Sequence, residues 1–355
     1  MASSLTQRPF LRGRNDPDFV SAQSAVKAEF AMCKVREGET MVVLSDPATR
    51  PEYVTAAFTA AQELGAKVFQ IGVSVVPSWQ TVGVTPLKGL TAAVEAMKAA
   101  DMVVAFHIVL FTRELREIMQ AGTRVLMVID HADDLERLFP TPALRRAVEA
   151  AGRRLEAARE MRIISEAGTD LTVKTGEYPV MIQYGYTDTP GRFDHWGAGH
   201  VHTFPNEGSA EGTVLVNVGD MVVLPFYRYV QDPIKLTIRE GYIRKIEGGL
   251  DATLMRDWLE GWHDPEGFAV SHLGWGLHPK AQWNCMALYG PERCLAHGRA
   301  FAGNFLFSTG PNTQGGGTRV TPGHYDVPMR ECSLYLDGEL IIDRGKIVVG
   351  DMQAT

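Results

Sequence analysis

At about 100–200 residues per domain, 355 residues make either two compact domains or one large one. With 45% hydrophobic and 22% charged residues the chain matches ordinary globular proteins, which excludes a mostly disordered or collagen-like one. Thirty-five basic against 42 acidic residues leave a net charge of −7, and no run of consecutive basic residues could neutralise a phosphate backbone, so nucleic acid is excluded as a partner. Cys33, Cys285, Cys294 and Cys332 form no CxxC pair, and there is no N-x-Ser/Thr sequon. A reducing cytoplasm is expected. The N-terminal stretch MASSLTQRPFLRGRNDPDF lacks the apolar core of a signal peptide. The longest apolar run, Met102 to Phe111, is interrupted by His107 and falls short of the roughly 20 residues of a membrane span, so no membrane association is expected.

From about Met41 to Met161, short apolar runs alternate with segments of helical period. MVVLSD predicts a buried strand, PEYVTAAFTAAQELGA an amphipathic helix closed by Gly65, and KVFQIGV a second strand. The cycle continues through LKGLTAAVEAMKAA, DMVVAFHI, TRELREIMQAG and RVLMVID, and the long helix PTPALRRAVEAAGRRLEAAREM ends the block. This alternation predicts an α/β fold whose first domain, residues 1–165 with a short N-terminal extension, is built from parallel βαβ units. Beyond that point the chain turns β-rich. MRIISEAGTDLTVKTG reads as two strands turning at Gly168, and TVLVNVGDMVV, PIKLTIREGYIRKIEGG and ECSLYLDGELIIDRGKIVV carry Gly and Asp-Gly turns. Residues 166–355 are therefore expected to form a β-rich α+β domain. It holds eight of the ten histidines, which places metal-capable chemistry there.

Three segments stand out in that second part. In GGGTRVTPGHYDVPM, His324 and Asp326 are two apart, so on an extended segment both side chains point to one side and can reach one cation. The alternative is a hydrogen-bonded surface turn. In FAVSHLGWGLHPKAQWN, His272 and His278 flank a Gly-Trp-Gly segment whose glycines suggest backbone close to another element or a ligand. His272 is the better ligand candidate, and His278 before Pro279 reads equally as structural. Two imidazoles and a carboxylate, with the other positions left to water, would make the facial triad of non-haem Fe(II) oxygenases. HWGAGHVHTFPNEG holds His195, His200 and His202, either a zinc-type pair or polar residues of a solvent-facing loop. His107 interrupts the strand DMVVAFHI near its C-terminal end, the end that borders the ligand crevice in a parallel sheet; a buried, hydrogen-bonded structural histidine is the other reading. GxGxxG after the first strand, GxxxxGK[ST] and GxSxG are absent, which disfavours a dinucleotide site, a P-loop and a serine hydrolase.

Taken in order, AREMRIISEAGTDLTV, EGTVLVNVGDMVV, IREGYIRKIEGG, SHLGWGLHPKA, AFAGNFLFSTGPNTQGGG and GHYDVPM resemble the aminopeptidase T superfamily of metallo-aminopeptidases, over most of the chain from about residue 40. The departures are informative. His272 stands where the peptidase pattern has a glutamate ligand, and Arg299 stands at a peptidase histidine, with His297 as the alternative match. The terminal H-x-D is retained as His324 and Asp326. Such exchanges weaken a two-metal hydrolytic site and favour one softer metal. The variant is similar to the 2,5-dihydroxypyridine 5,6-dioxygenase family of bacterial nicotinate and nicotine catabolism. That resemblance implies one Fe(II) held by His272, His324 and Asp326, and insertion of both atoms of O₂ across C5–C6 of the pyridine ring to give N-formylmaleamate.

A triad on one face of a metal leaves neighbouring positions where ring oxygen and O₂ can meet. A base must take the hydroxyl proton, and His107, His200 and His202 are the unranked candidates. Phe106 and His107 are expected to form one wall of a pocket for a flat aromatic ring. The expected partners are a dihydroxypyridine, O₂ and further copies of the chain in a homo-oligomer. The competing readings are a metallo-aminopeptidase-like hydrolase using divalent metal and a non-catalytic protein that retains the fold.

Overall fold

A computed structural model describes residues 18–75 and 83–354; residues 1–17 of the N-terminal extension lie outside the described residues. The alternating first part forms a parallel sheet in the order Lys67–Gly72, Thr40–Ser45, Met102–Ala105, Arg124–Met127 and Phe193–His195. Met41 to Leu44, Met102 to Ala105 and Val125 to Met127 are all buried. Burial on both faces is what helices on either side of a parallel sheet require, and it explains why these strands read as continuous apolar runs. Helix Pro51–Glu63 supplies Ala56, Ala57, Ala60 and Ala61 to this core. Helix Pro142–Ala157 starts at Thr141, whose hydroxyl accepts from the Leu144 amide at 3.1 Å, with Pro142 in the first turn.

Two departures bear on the site. The strand read from DMVVAFHI stops at Ala105, so His107 lies in the bend beyond its C-terminal end. The fifth strand, Phe193–His195, comes from the β-rich part and pairs in parallel with Arg124–Met127.

The second part forms two larger sheets. An eight-stranded antiparallel sheet runs Tyr242–Gly248, Ile234–Arg239, Glu211–Val216, Asp170–Lys174, Glu160–Ser165, Cys332–Leu336, Glu339–Asp343 and Lys346–Ile347. Its hairpins turn at Glu240-Gly241, Asp337-Gly338 and Arg344-Gly345, each pair with two positive φ angles, as a type I′ turn demands. The other is a five-stranded antiparallel sheet in the order Tyr325–Met329, Phe305–Thr309, Val270–Gly276, His200–Thr203 and Met181–Gln183. Every residue of its first four strands is buried. The solvent-facing loop reading of HWGAGHVHTFPNEG is thereby corrected for His200 and His202.

The Gly-Trp-Gly segment shows why its glycines are there. A Cβ on Gly274 would stand 1.9 Å from the Val201 carbonyl oxygen, and one on Gly276 would stand 2.4 Å from that of Phe301. Neither backbone neighbour can give way, since each belongs to an element packed in the core. Gly274→Ala should therefore cost about 1–3 kcal/mol of stability, the usual scale of core overpacking, and displace the strands carrying His202 and His272. Denaturant unfolding together with metal titration checks this: unchanged stability would mean the strands are free to part.

Candidate metal centre

The metal-site candidates converge on the five-stranded sheet. Val270 pairs with Thr309 and Leu273 with Phe307, so three steps on one strand face two on the other. This bulge falls at Ser271 and His272, and a bulge re-aims a side chain relative to a regular pleat. The Ser308 hydroxyl donates to the His272 carbonyl at 2.8 Å and fixes the kink. Asp326 lies opposite Ser308 in register, and its amide and carbonyl are bonded to the Leu224 carbonyl and the Val223 amide, both at 3.0 Å. His324 precedes that strand. Its Nδ1 donates to the Thr309 carbonyl at 2.7 Å; a carbonyl only accepts, so the proton sits on Nδ1 and Nε2 keeps its lone pair.

One donor atom from each of His272, His324 and Asp326 lies within 4.8 Å of the others, in the one such group among the described residues. His272 Nε2 is 3.0 Å from Asp326 Oδ1, and His324 Nε2 is 3.6 Å from Asp326 Oδ2. Yet neither Nε2 atom has a hydrogen-bond partner, although all three side chains are no more than 4% exposed. Two ligands about 2.1 Å from one ion, at right angles, stand about 3.0 Å apart, so the spacing suits donors aimed at a shared cation. Burial pushes the Asp326 carboxyl upward, but the His272 and His324 imidazoles outweigh it and hold the group well below the usual carboxylate range. Burial lowers His272, against the opposing pull of Asp326.

Arg299 enters from the short helix Cys294–Ala300, with Nε 3.9 Å from Asp326 Oδ2. His297, two residues earlier, turns away: its Nε2 lies 3.1 Å from Asp134 Oδ1 and its Nδ1 accepts from the Gln282 amide at 3.0 Å. Of the two residues weighed from the sequence, it is Arg299 that reaches the site.

The surrounding rings were only partly foreseeable. His202 packs against His272 with ring centroids 5.0 Å apart, and His200 stacks on His202 at 5.4 Å. All four of their ring nitrogens are buried without a hydrogen-bond partner. Burial first, and then nearby positive groups including Arg299, hold both imidazoles well below their ordinary pKa. His107 is half-buried, its ring nitrogens also unpartnered, and its charged neighbour is Asp46; burial lowers its pKa. His195 is held by Asp130, Nε2 to Oδ2 at 2.8 Å. His278 accepts from the Lys280 amide at 3.1 Å, and burial pushes it down to about 4.

Phe106 is a correction. Its ring faces Tyr53 at 6.0 Å and belongs to the core. Among the aromatics against the candidate ligands, besides Phe204 at 6.1 Å from the His272 ring, is Phe111, 6.2 Å from the His272 ring and 5.3 Å from the His324 ring. Its φ of 58° is a costly conformation for a residue with a bulky side chain. No pattern in the sequence marks it beyond its place just before Thr112, the cap of the next helix.

Comparison with known proteins decides the family. Residues 21–349 match the model of NicX, 2,5-dihydroxypyridine 5,6-dioxygenase. The chain belongs to this family. The 2,5-dihydroxypyridine 5,6-dioxygenase of Pseudomonas putida KT2440 is 41% identical over 327 residues, covering 89% of this chain and 93% of the relative. The solved dioxygenase structure from that organism superposes with a TM-score of 0.91 at 38% identity, covering 94% of this chain and 99% of its own. AmpT from Thermus thermophilus shares the fold at 14% identity, with a TM-score of 0.67 over 93% of this chain and 99% of its own. The mixed α/β architecture is thus borne out, and the likeness to AmpT is one of fold.

The buried histidines make stability depend on pH in a defined direction. In the metal-free folded protein His200, His202 and His272 are held below the ordinary imidazole pKa; unfolded, each returns to about 6.5. Between the folded and unfolded values the unfolded chain binds more protons. Their contribution is therefore complete above about pH 6.5 and is lost as the pH falls below it, by up to about 1.4 kcal/mol per pH unit for each histidine. Denaturant unfolding at about pH 7.5, 6.5 and 5.5 reads this slope, and a flat profile would refute buried neutral imidazoles.

Proposed function

We propose that the chain is a mononuclear non-haem Fe(II) dioxygenase that opens 2,5-dihydroxypyridine between C5 and C6, keeping both oxygen atoms of O₂ in the product N-formylmaleamate. The reading rests above all on the buried His272, His324 and Asp326, two of whose donor atoms have no partner, in a chain of this family. These residues would hold the iron, which when bound supplies adjacent positions for the ring hydroxyl and O₂ and a path for electrons between them.

The chain's own residues do the rest. Thr309 fixes the tautomer of His324 through its carbonyl. Phe111, packed against both imidazole ligands, keeps water from that side. His202, His200 and His107 are candidates to take the hydroxyl proton, being lowered in pKa and so neutral and able to accept at neutral pH. His202 ranks first because it touches the ring of His272. The hydrolase alternative loses ground because Arg299 brings a fixed positive charge beside Asp326, where a second metal would meet repulsion.

The division at residue 165 is kept as a proposal of function: 166–355 carries the ligands, while 1–165 supplies Phe111 and His107. Four free buried cysteines suit a cytoplasmic enzyme, and no helix among the described residues is long and apolar enough to cross a membrane. Assembly into a homo-oligomer completes the proposal.

Protein purified without oxygen should carry about one iron per chain, as one facial triad allows. His272→Ala, His324→Ala and Asp326→Ala should each lose iron and O₂ uptake while keeping the far-UV circular dichroism of the parent. His272→Glu should keep metal without oxygenase activity. A variant with normal iron and turnover would remove that residue from the ligand set. Separately, at least one of the Ala variants at His107, His200 and His202 should retain iron yet lose two to four powers of ten in rate, roughly the range for a positioned base. If all three keep parental kinetics and pH profile, the proton leaves by another route.

A further inference from the structure

Arg299 is a permanent charge that is almost withdrawn from solvent. The residue is 4% exposed, and its Nε has no hydrogen-bond partner. The carboxylate it approaches, Asp326, is 3.9 Å away, beyond hydrogen-bond reach, with its oxygens turned to His272 and His324. The backbone at Arg299 is pinned: Asn304 Nδ2 donates to the carbonyls of Gly298 and Arg299 at 2.8 and 3.2 Å, and Asn304 Oδ1 accepts from the Gly276 amide at 2.6 Å. One asparagine thus ties the helix end to the strand that carries His272. A Cβ on Gly298 would stand 2.6 Å from Val223 Cγ1, so the helix also lies hard against the segment that bonds Asp326.

The charge count then points outward. The groups electrostatically coupled to Arg299 are Asp326 and the imidazoles of His200, His202 and His272. A histidine ligates metal only as the neutral imidazole, so with a divalent ion bound Asp326 and Arg299 cancel and the buried site is left at least doubly positive. Asp326 is the one carboxylate in the ligand group. Buried charge of this size requires a counter-charge, and the remaining source is what binds there.

We propose that Arg299 is a substrate-binding residue whose guanidinium holds an anionic oxygen of the substrate, a deprotonated ring hydroxyl, beside the metal. It serves as a second cation fixed to the chain, and it makes the site select ionisable hydroxyaromatics over neutral rings of the same shape. Arginine suits the task because it is always charged, weakly hydrated and presents a planar fork of donors. The proposal rests on the reading of the metal centre given above.

The test uses full-length protein loaded with Zn(II), which binds without turnover, and two probes of one ring, 3-hydroxypyridine and 3-methoxypyridine, followed by calorimetry. Arg299→Met should weaken 3-hydroxypyridine by about 10- to 150-fold, the range of a charge-assisted hydrogen bond, and leave 3-methoxypyridine unchanged. Arg299→Lys, which keeps the charge and loses the fork, should fall between, with about one zinc per chain throughout. If Arg299→Met binds the hydroxyl probe like the parent, the assignment is wrong. Equal loss of both probes, or loss of zinc, would make Arg299 a structural partner of Asp326 and overturn it as well. Should Arg299→Met fail to fold, Arg299→Lys decides alone: parental affinity for both probes overturns the proposal, and selective weakening of the hydroxyl probe supports it. Failure of the parent to bind 3-hydroxypyridine in a zinc-dependent way would overturn the reading of the metal centre itself.

Discussion

A carboxylate withdrawn from water needs its counter-charges in place, and the architecture around Asp326 follows from that need. The group is buried, stays ionised, and meets two imidazoles at 3.0 and 3.6 Å and a guanidinium at 3.9 Å. Removing Arg299 leaves the buried charge uncompensated, which costs more than the pairing itself contributes. Asp326 lies on the edge strand of the five-stranded sheet, its backbone bonded to Val223 and Leu224 on one side and its strand paired with Phe305–Thr309 on the other. The acid cannot retreat to solvent without dismantling the sheet. The site is therefore held by backbone hydrogen bonds as well as by its charges.

Thr309 shows how tightly strand pairing and chemistry are joined. It lies opposite Tyr325 in register and opposite Val270 on the other side, and its carbonyl also takes the Nδ1 proton of His324. The same strand provides Ser308, which anchors the bulge at His272. Two candidate ligands, His272 on one strand and His324 just before another, are thus oriented by adjacent residues of a third. A regular ladder would point His272 along the common pleat; the extra residue of the bulge turns it toward Asp326. Precision of this kind comes from a rigid sheet more readily than from loops.

Much of this was legible in the sequence, and the limits have physical causes. His324 and Asp326 could be read because a spacing of two has one geometric meaning on an extended segment. His272 could be read because the glycines beside it mark a close backbone approach, now seen between Gly274 and Val201. Strands buried on both faces show no alternation, so His200 and His202 looked like polar residues of a loop until the sheet covered them. Phe193–His195 has three residues, too few for any period to register. Phe106 and Phe111 are both apolar neighbours of His107. Only the turn after Ala105, with the positive φ at Phe111, decides which of them reaches the ligands. The choice between His297 and Arg299 was likewise beyond spacing, because it depends on which face of a seven-residue helix meets Asp134.

The fold shared with AmpT at 14% identity separates scaffold from chemistry. Nothing in a five-stranded sheet obliges it to bind one metal rather than two, or to serve hydrolysis rather than oxidation. What the site sets on that scaffold includes the imidazole of His272 and the guanidinium of Arg299. The first is a neutral donor where a carboxylate would be negative, so a bound ion would keep more of its charge and hold anionic ligands more strongly. The second places a positive charge where another cation would be repelled, which favours one ion and leaves room beside it. Both groups leave a buried site positive once an ion is bound. A substrate that arrives ionised then supplies the missing negative charge, so substrate choice and metal count follow from the same balance.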